Sequence, residues 1–319
     1  MARSRLLAPP VWCFLLATWL VAPALADDPV RVFVSVLPQK TFVEKVGGDH
    51  VQVEALIRPG NDPHTFEPTP RQVVALTEAA LFVRIGMPFE EAWMRRILAT
   101  NPELVVIDAR DGLPLRRLEA HAHGPGEDHG HDHEHHHGHD HHADPDHETA
   151  HQSHDPDELD PHIWTSPPLV KAMSEQLRDA LSRIDPQRAA DYAVNQRAFA
   201  AELEALDRAI RTELADAAGR RFLVYHPAWG YFADTYGLVQ VPIEYQGKEP
   251  GARSLAALID QARTEGVQVV FVQPQFSPKA AEQVARAIGG RVESIDPLAA
   301  DYAENLLRVA RLIGSAGTR

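Results

Sequence analysis

The sequence predicts an α/β protein of two lobes, each a mostly parallel sheet with flanking helices, joined by one long helix. Three observations carry this. β-branched apolar runs alternate with helical periodicities on both sides of residues 185–218. Between those series, Tyr192, Phe199, Leu203, Leu206, Ile210 and Leu214 recur at steps of seven, four, three, four and four, a single apolar stripe. And residues 115–158 carry almost no apolar periodicity, which sets them apart from both lobes.

In chain order, Val30–Leu37 is a continuous apolar run and reads as a strand. Val51–Ile57 alternates with period two and reads as a second. Arg71–Ala80 and Glu90–Ala99 read as helices, Leu81–Ile85 and Leu104–Asp108 as strands. Pro167–Ile184 and Pro186–Ala218 read as helices, the second forming the spine between lobes. The second lobe repeats the series. Its strands are Phe222–Tyr225, Val239–Ile243, Val267–Val272 and Arg291–Ile295. Its helices are Ala228–Tyr236, Leu255–Arg263, Lys279–Ile288 and Ala300–Ile313. The boundaries are 27–184 for the first lobe, 185–218 for the linking helix and 219–319 for the second lobe. Each lobe is expected to carry its own core.

The 319 residues hold 31 Lys+Arg against 45 Asp+Glu, a formal net charge of −14. That balance argues against nucleic acid, which needs a basic face, and favours a cation as ligand. Residues 1–26 read as a cleaved secretory signal peptide: Arg3 and Arg5, an apolar run Val11–Val21, then Ala24-Leu25-Ala26. The run is too short to span a membrane, for which about 20 residues are needed. The single Cys, Cys13, lies inside it, so a mature chain has neither disulfides nor thiolate ligands. Any metal site must use His and carboxylates. A periplasmic monomer is expected.

Of 18 His, 14 lie between His121 and His154 among eight Asp/Glu. Such a stretch cannot bury a core, and 115–158 is expected to be a disordered, His-rich acidic loop. It should offer weak, variable metal sites, because each arrangement must first order the chain.

Four His lie elsewhere. His50 follows Gly47-Gly48-Asp49 and reads as a surface residue. His64 and His162 each close an Asp-Pro-His triplet, Asp62-Pro63-His64 and Asp160-Pro161-His162. His226 ends a strand and precedes Pro227; Asp296 ends another and precedes Pro297. In open α/β sheets ligands gather beyond the carboxyl ends of strands. A neighbouring Pro stiffens each of these turns. Asp62 and Asp160 either support the adjacent imidazole or cap the turn. Three imidazoles and one carboxylate form an N/O set that suits Zn²⁺, with Cu²⁺ and Ni²⁺ also accepted.

At these residues the chain resembles the periplasmic zinc-binding (ZnuA-like) solute-binding proteins of metal-importing ABC transporters. The resemblance rests on residues 59–70 (PGNDPHTFEPTP), the His-rich insertion, Asp160-Pro161-His162-Ile163-Trp164 and residues 226–232 (HPAWGYF). Residues 244–251 (EYQGKEPG) and Ile295-Asp296-Pro297-Leu298 also match. It implies a metal site in the cleft between the lobes, with His64 and His162 from the first lobe and His226 and Asp296 from the second. Manganese-binding relatives typically carry Glu where this chain has His226. Some zinc members have a disulfide in the second lobe that this chain lacks. Some complete the site with water rather than a carboxylate. The implied activity is capture of Zn²⁺ and delivery to a transmembrane permease, with no catalytic residue.

Two other readings compete. A secreted zinc hydrolase needs an open metal position and a general base, and four protein ligands leave little room for a metal-bound water. A zinc store would explain the His-rich stretch but not four placed ligands.

Overall fold

A computed structural model of the chain describes residues 28–58, 60–118, 159–244 and 249–316. The expected leader, 1–26, and most of the His-rich stretch lie outside them.

The first sheet is built from β1 (Val30–Val34), β2 (Val51–Ala55), β3 (Leu81–Arg84) and β4 (Val105–Asp108), all parallel, in the order β2-β1-β3-β4. Val32 pairs with Val53 on one side and Leu81 on the other. The flanking helices are α1 (Leu37–Gly47), α2 (Pro70–Thr77), α3 (Pro88–Thr100) and α4 (Pro167–Ile184). The linking helix is α5 (Ala189–Glu213). The second sheet repeats the first: β5 (Arg221–Val224), β6 (Val239–Pro242), β7 (Val269–Val272) and β8 (Arg291–Ser294), parallel, in the order β6-β5-β7-β8. Its helices are α6 (Gly230–Tyr236), α7 (Ala252–Thr264), α8 (Lys279–Ile288) and α9 (Tyr302–Ser315).

Three expectations are corrected. The strand expected over Val30–Leu37 stops at Val34, and α1 follows at once. Pro38 sits in the first turn, where its missing N–H costs nothing. Gln39 Oε1 accepts the Val36 N–H at 3.1 Å, and Phe42, Val43 and Val46 turn one face into the core. Second, residues 115–118 are ordered. Arg117 forms an antiparallel bridge with Leu159, and the Asp160 N–H donates to the Arg116 carbonyl at 3.0 Å. Third, the lobes do not carry separate cores. One apolar cluster runs from Val32, Phe42 and Leu81 through Trp164, Tyr192 and Phe199 to Phe222, Phe232 and Leu306. All six residues of the predicted stripe are buried.

A second, smaller cluster lies on the other face of the second sheet. Successive residues of β5 alternate between the two: Phe222 and Val224 face the shared core, Leu223 and Tyr225 the smaller one. Contacts across the lobes include Trp164 Nε1–H donating to the Pro297 carbonyl at 2.7 Å and the Phe42–Tyr302 edge contact at 4.8 Å. Among the described residues, no helix is long and apolar enough to cross a membrane.

Candidate metal centre

Three of the four predicted ligands meet between the lobes. His64 lies in the loop after β2, His162 just before α4, and His226 two residues past the end of β5. His64 Nε2 is 3.2 Å from His226 Nε2, which is 3.3 Å from His162 Nε2. The three ligand atoms all lie within 4.8 Å of one another. A tetrahedral ion with N donors at about 2.0–2.1 Å sets them about 3.3 Å apart, so the spacing fits one ion. His162 and His226 are buried, His64 half-buried.

Each buried imidazole is held from behind. His162 Nδ1 lies 2.7 Å from Asp160 Oδ1, and the His162 N–H donates to the same oxygen at 2.9 Å. Asp160 is fully buried and takes Arg116 Nη1 on Oδ2 at 3.0 Å. His226 Nδ1 lies 2.5 Å from Glu244 Oε1, and Phe276 stacks on the ring at 4.9 Å. Gln273 bonds both the N–H and the carbonyl of His226. With Nδ1 facing a carboxylate, the proton sits there and Nε2 presents its lone pair inward.

The electrostatics point the same way. Burial holds the His162 imidazole below its ordinary range against the pull of Asp160, so the ring favours its neutral, metal-binding form. Burial alone would raise Asp160; His162 and Arg116 outweigh it and keep the carboxyl below the usual range.

The alternatives left open for the two aspartates divide. Asp160 both caps the turn and supports its imidazole. Asp62 Oδ1 accepts the His64 N–H at 2.9 Å and Oδ2 the Thr65 hydroxyl at 3.3 Å, which fixes the turn.

Asp296 stands outside the three-imidazole group. Its Oδ1 accepts Gln275 Nε2 at 2.8 Å and the Leu298 N–H at 2.9 Å. Asp296-Pro297-Leu298 is thus a third turn of the Asp-Pro-x kind, with Asp296 in the capping position and Leu298 where the other two carry His. His50 is remote from the group; its Nε2 lies 3.3 Å from Asp191 Oδ2.

Sequence reasoning assigned no role to Glu244, Gln273 or Phe276. Glu244 lies two residues past β6, and Gln273 follows β7 directly. The strand-end argument that found His226 would have reached both had it been applied to every strand of the second sheet.

Comparison with known proteins follows this geometry. The family described as "ZnuA: Zinc-uptake complex component A periplasmic" matches residues 32–315. The high-affinity zinc uptake system protein ZnuA of Bacillus subtilis is 31% identical over 275 residues, 85% of this chain and 79% of that protein. The zinc-binding protein AdcA of Streptococcus pyogenes serotype M3 is 27% identical over 282 residues, 86% of this chain and 51% of that protein. The chain thus spans about half the length of these streptococcal relatives. A solved structure described as "Crystal structure of ZnuA" superposes with a TM-score of 0.77 at 38% identity, covering 91% of this chain and 100% of that one.

Proposed function

The chain belongs to the family of periplasmic zinc-uptake components, and from that premise we propose that it captures one Zn²⁺ between its lobes and delivers it to the membrane permease of an ABC importer. The ligands are His64, His162 and His226, and the spacing of their Nε2 atoms is the observation that carries the reading. The fourth position is assigned to Asp296, whose Oδ1 must first leave Gln275. The carboxylates of Asp160 and Glu244 balance the ion's charge from behind the His162 and His226 rings.

The protein works in the periplasm as a monomer, exported by a leader in residues 1–26, with domain boundaries near 184 and 219. The His-rich stretch 121–154 collects zinc at weaker sites and passes it on. It is a binding protein and not a hydrolase. Both buried carboxylates lie against Nδ1 atoms, on the side of each ring away from the metal, where neither can act as base to a metal-bound water.

Calorimetric titration with Zn²⁺, Mn²⁺, Cu²⁺ and Ni²⁺ tests this. One tight zinc site, weaker for Mn²⁺ and weakened by alanine at any of the three His, is expected. A tight site that survives all three substitutions places the binding elsewhere.

A further inference from the structure

We propose that Arg116 is a positioning residue for the metal site, holding His162 through Asp160, and that Gly230 lacks a side chain in order to admit it. The proposal rests on the reading of His162 as a ligand.

Arg116 stands on the segment that leaves the first lobe after β4. The Arg117–Leu159 bridge and the Asp160 N–H to Arg116 carbonyl bond tie the outgoing strand directly to the returning one. From there the guanidinium reaches three groups. Nη1 donates to Asp160 Oδ2 at 3.0 Å. Nε lies 3.0 Å from Asp234 Oδ2 on α6. The guanidinium carbon sits 5.9 Å from the Tyr231 ring centre. Tyr231 closes the circuit: its hydroxyl accepts the Arg116 N–H at 3.0 Å and donates to the Asp160 carbonyl at 3.0 Å.

Asp160 divides its two oxygens between two residues. Oδ1 faces His162 Nδ1, and Oδ2 faces Arg116. A carboxylate held at both ends cannot rotate, so the imidazole it supports keeps its tautomer and its aim. Arg116 also supplies the positive charge that a fully buried carboxylate needs when the ring is neutral. Tyr231 and Asp234 belong to the second lobe, so both lobes grip the support of a first-lobe ligand.

The approach is close enough to exclude a side chain. A Cβ built on Gly230, at the start of α6, would overlap the Arg116 guanidinium and stand 2.9 Å from Asp160 Oδ2. Two substitutions from opposite lobes therefore break one contact by different means. Arg116→Met keeps the aliphatic stem and removes every donor. Gly230→Ala keeps the charge and displaces it.

The experiment uses the full chain. Zinc affinity is measured by chelator competition with one equivalent of metal, and the visible spectrum of the Co²⁺ complex reports ligand geometry. Removing a partner behind a ligating His costs about 10–100-fold in metal affinity. Arg116→Met and Gly230→Ala should each lose on the order of 10-fold and shift the cobalt bands. Arg116→Lys should recover most of the affinity. Where Arg116→Met does not fold, Gly230→Ala and Arg116→Gln are read in its place. A folded Arg116→Met or Gly230→Ala protein with parental affinity and parental bands overturns the proposal, whatever its thermal stability. His162→Ala is measured alongside. If it binds as the parent does, the ligand reading fails; if it binds weakly while the Arg116 variants do not, only the positioning role fails.

Discussion

Two loops of this molecule carry the same three residues, Asp-Pro-His, and use them differently. At Asp62-Pro63-His64 and at Asp160-Pro161-His162 the aspartate accepts the His N–H at 2.9 Å, so the backbone turn is one and the same. The first turn lies on a half-exposed loop, and its carboxylate is spent on the turn and a hydroxyl. The second is buried by Trp164, α6 and Arg116, and there the same carboxylate also takes the imidazole. A local motif sets backbone direction; burial decides whether the side chain gains a second role. His162 and His226 are therefore aimed before metal arrives, each by a buried carboxylate behind its ring.

The sharpest way to break this contrast is at the ligands. His162→Ala and His226→Ala should each weaken zinc by more than about 100-fold, beyond the cost of losing a supporting group. Each also strands a buried carboxylate and should lower thermal stability. His64→Ala should weaken zinc strongly and lower apo stability less than His162→Ala does, since His64 is only half-buried. If His64→Ala destabilises the fold as much as His162→Ala does, the distinction between them is lost.

At the aspartates, Asp160→Asn should cost about 10–100-fold in zinc affinity. Asp62→Asn keeps a turn-capping oxygen and should cost little, as read by the same chelator competition. Equal losses would mean that the turn alone carries the site.

Acid should act on the buried triplet first. His162 is held below its ordinary value of 6.5, so the unfolded chain takes up a proton before the folded one does. Its contribution to apo stability is present above about pH 6.5 and is lost as pH falls toward the folded value. Asp160, held below 3.8, keeps its contribution until pH falls through its own lower value. Asp160, Arg116 and His226 are the charged or titratable groups that act on His162. Denaturant melts from pH 7.5 to 5 should show declining stability, and His162→Gln should flatten the decline. Asp296→Asn is expected to weaken zinc least of the four ligand variants, since the carboxylate must first leave Gln275 and the Leu298 N–H.

Much of this was legible in the residues. The stripe from Tyr192 to Leu214 identified the linking helix because one buried face repeats at helical spacing, and α4 and α8 were placed end for end for the same reason. The three imidazoles were found because each shares a Pro-stiffened turn and two lie past a strand end. What escaped depends on distance in space. Glu244 is 18 residues from His226, and Arg116 is 44 from Asp160; a strand end marks Glu244, but nothing local says which residue it or Arg116 meets. Helix α1 was missed because the apolar run continues past Val34 through Val36 and Leu37, so the end of the strand and the start of the helix read as one segment. The shared core escaped for a related reason: periodicity says which face is buried, not which lobe covers it. Asp296 was read as a ligand from its strand end; its place as the capping aspartate of a third Asp-Pro-x turn was not read.

The account's central claim is that one zinc ion is held by three imidazoles drawn from both lobes. X-ray absorption on the one-to-one zinc complex, with residues 119–158 replaced by a short Gly-Ser link, tests it most directly. The Arg117–Leu159 bridge brings the cut ends side by side, so the link closes without strain. The account predicts three imidazole nitrogens at about 2.0–2.1 Å, one fewer in His226→Ala. A shell of oxygens with at most one imidazole, unchanged by that substitution, would contradict it.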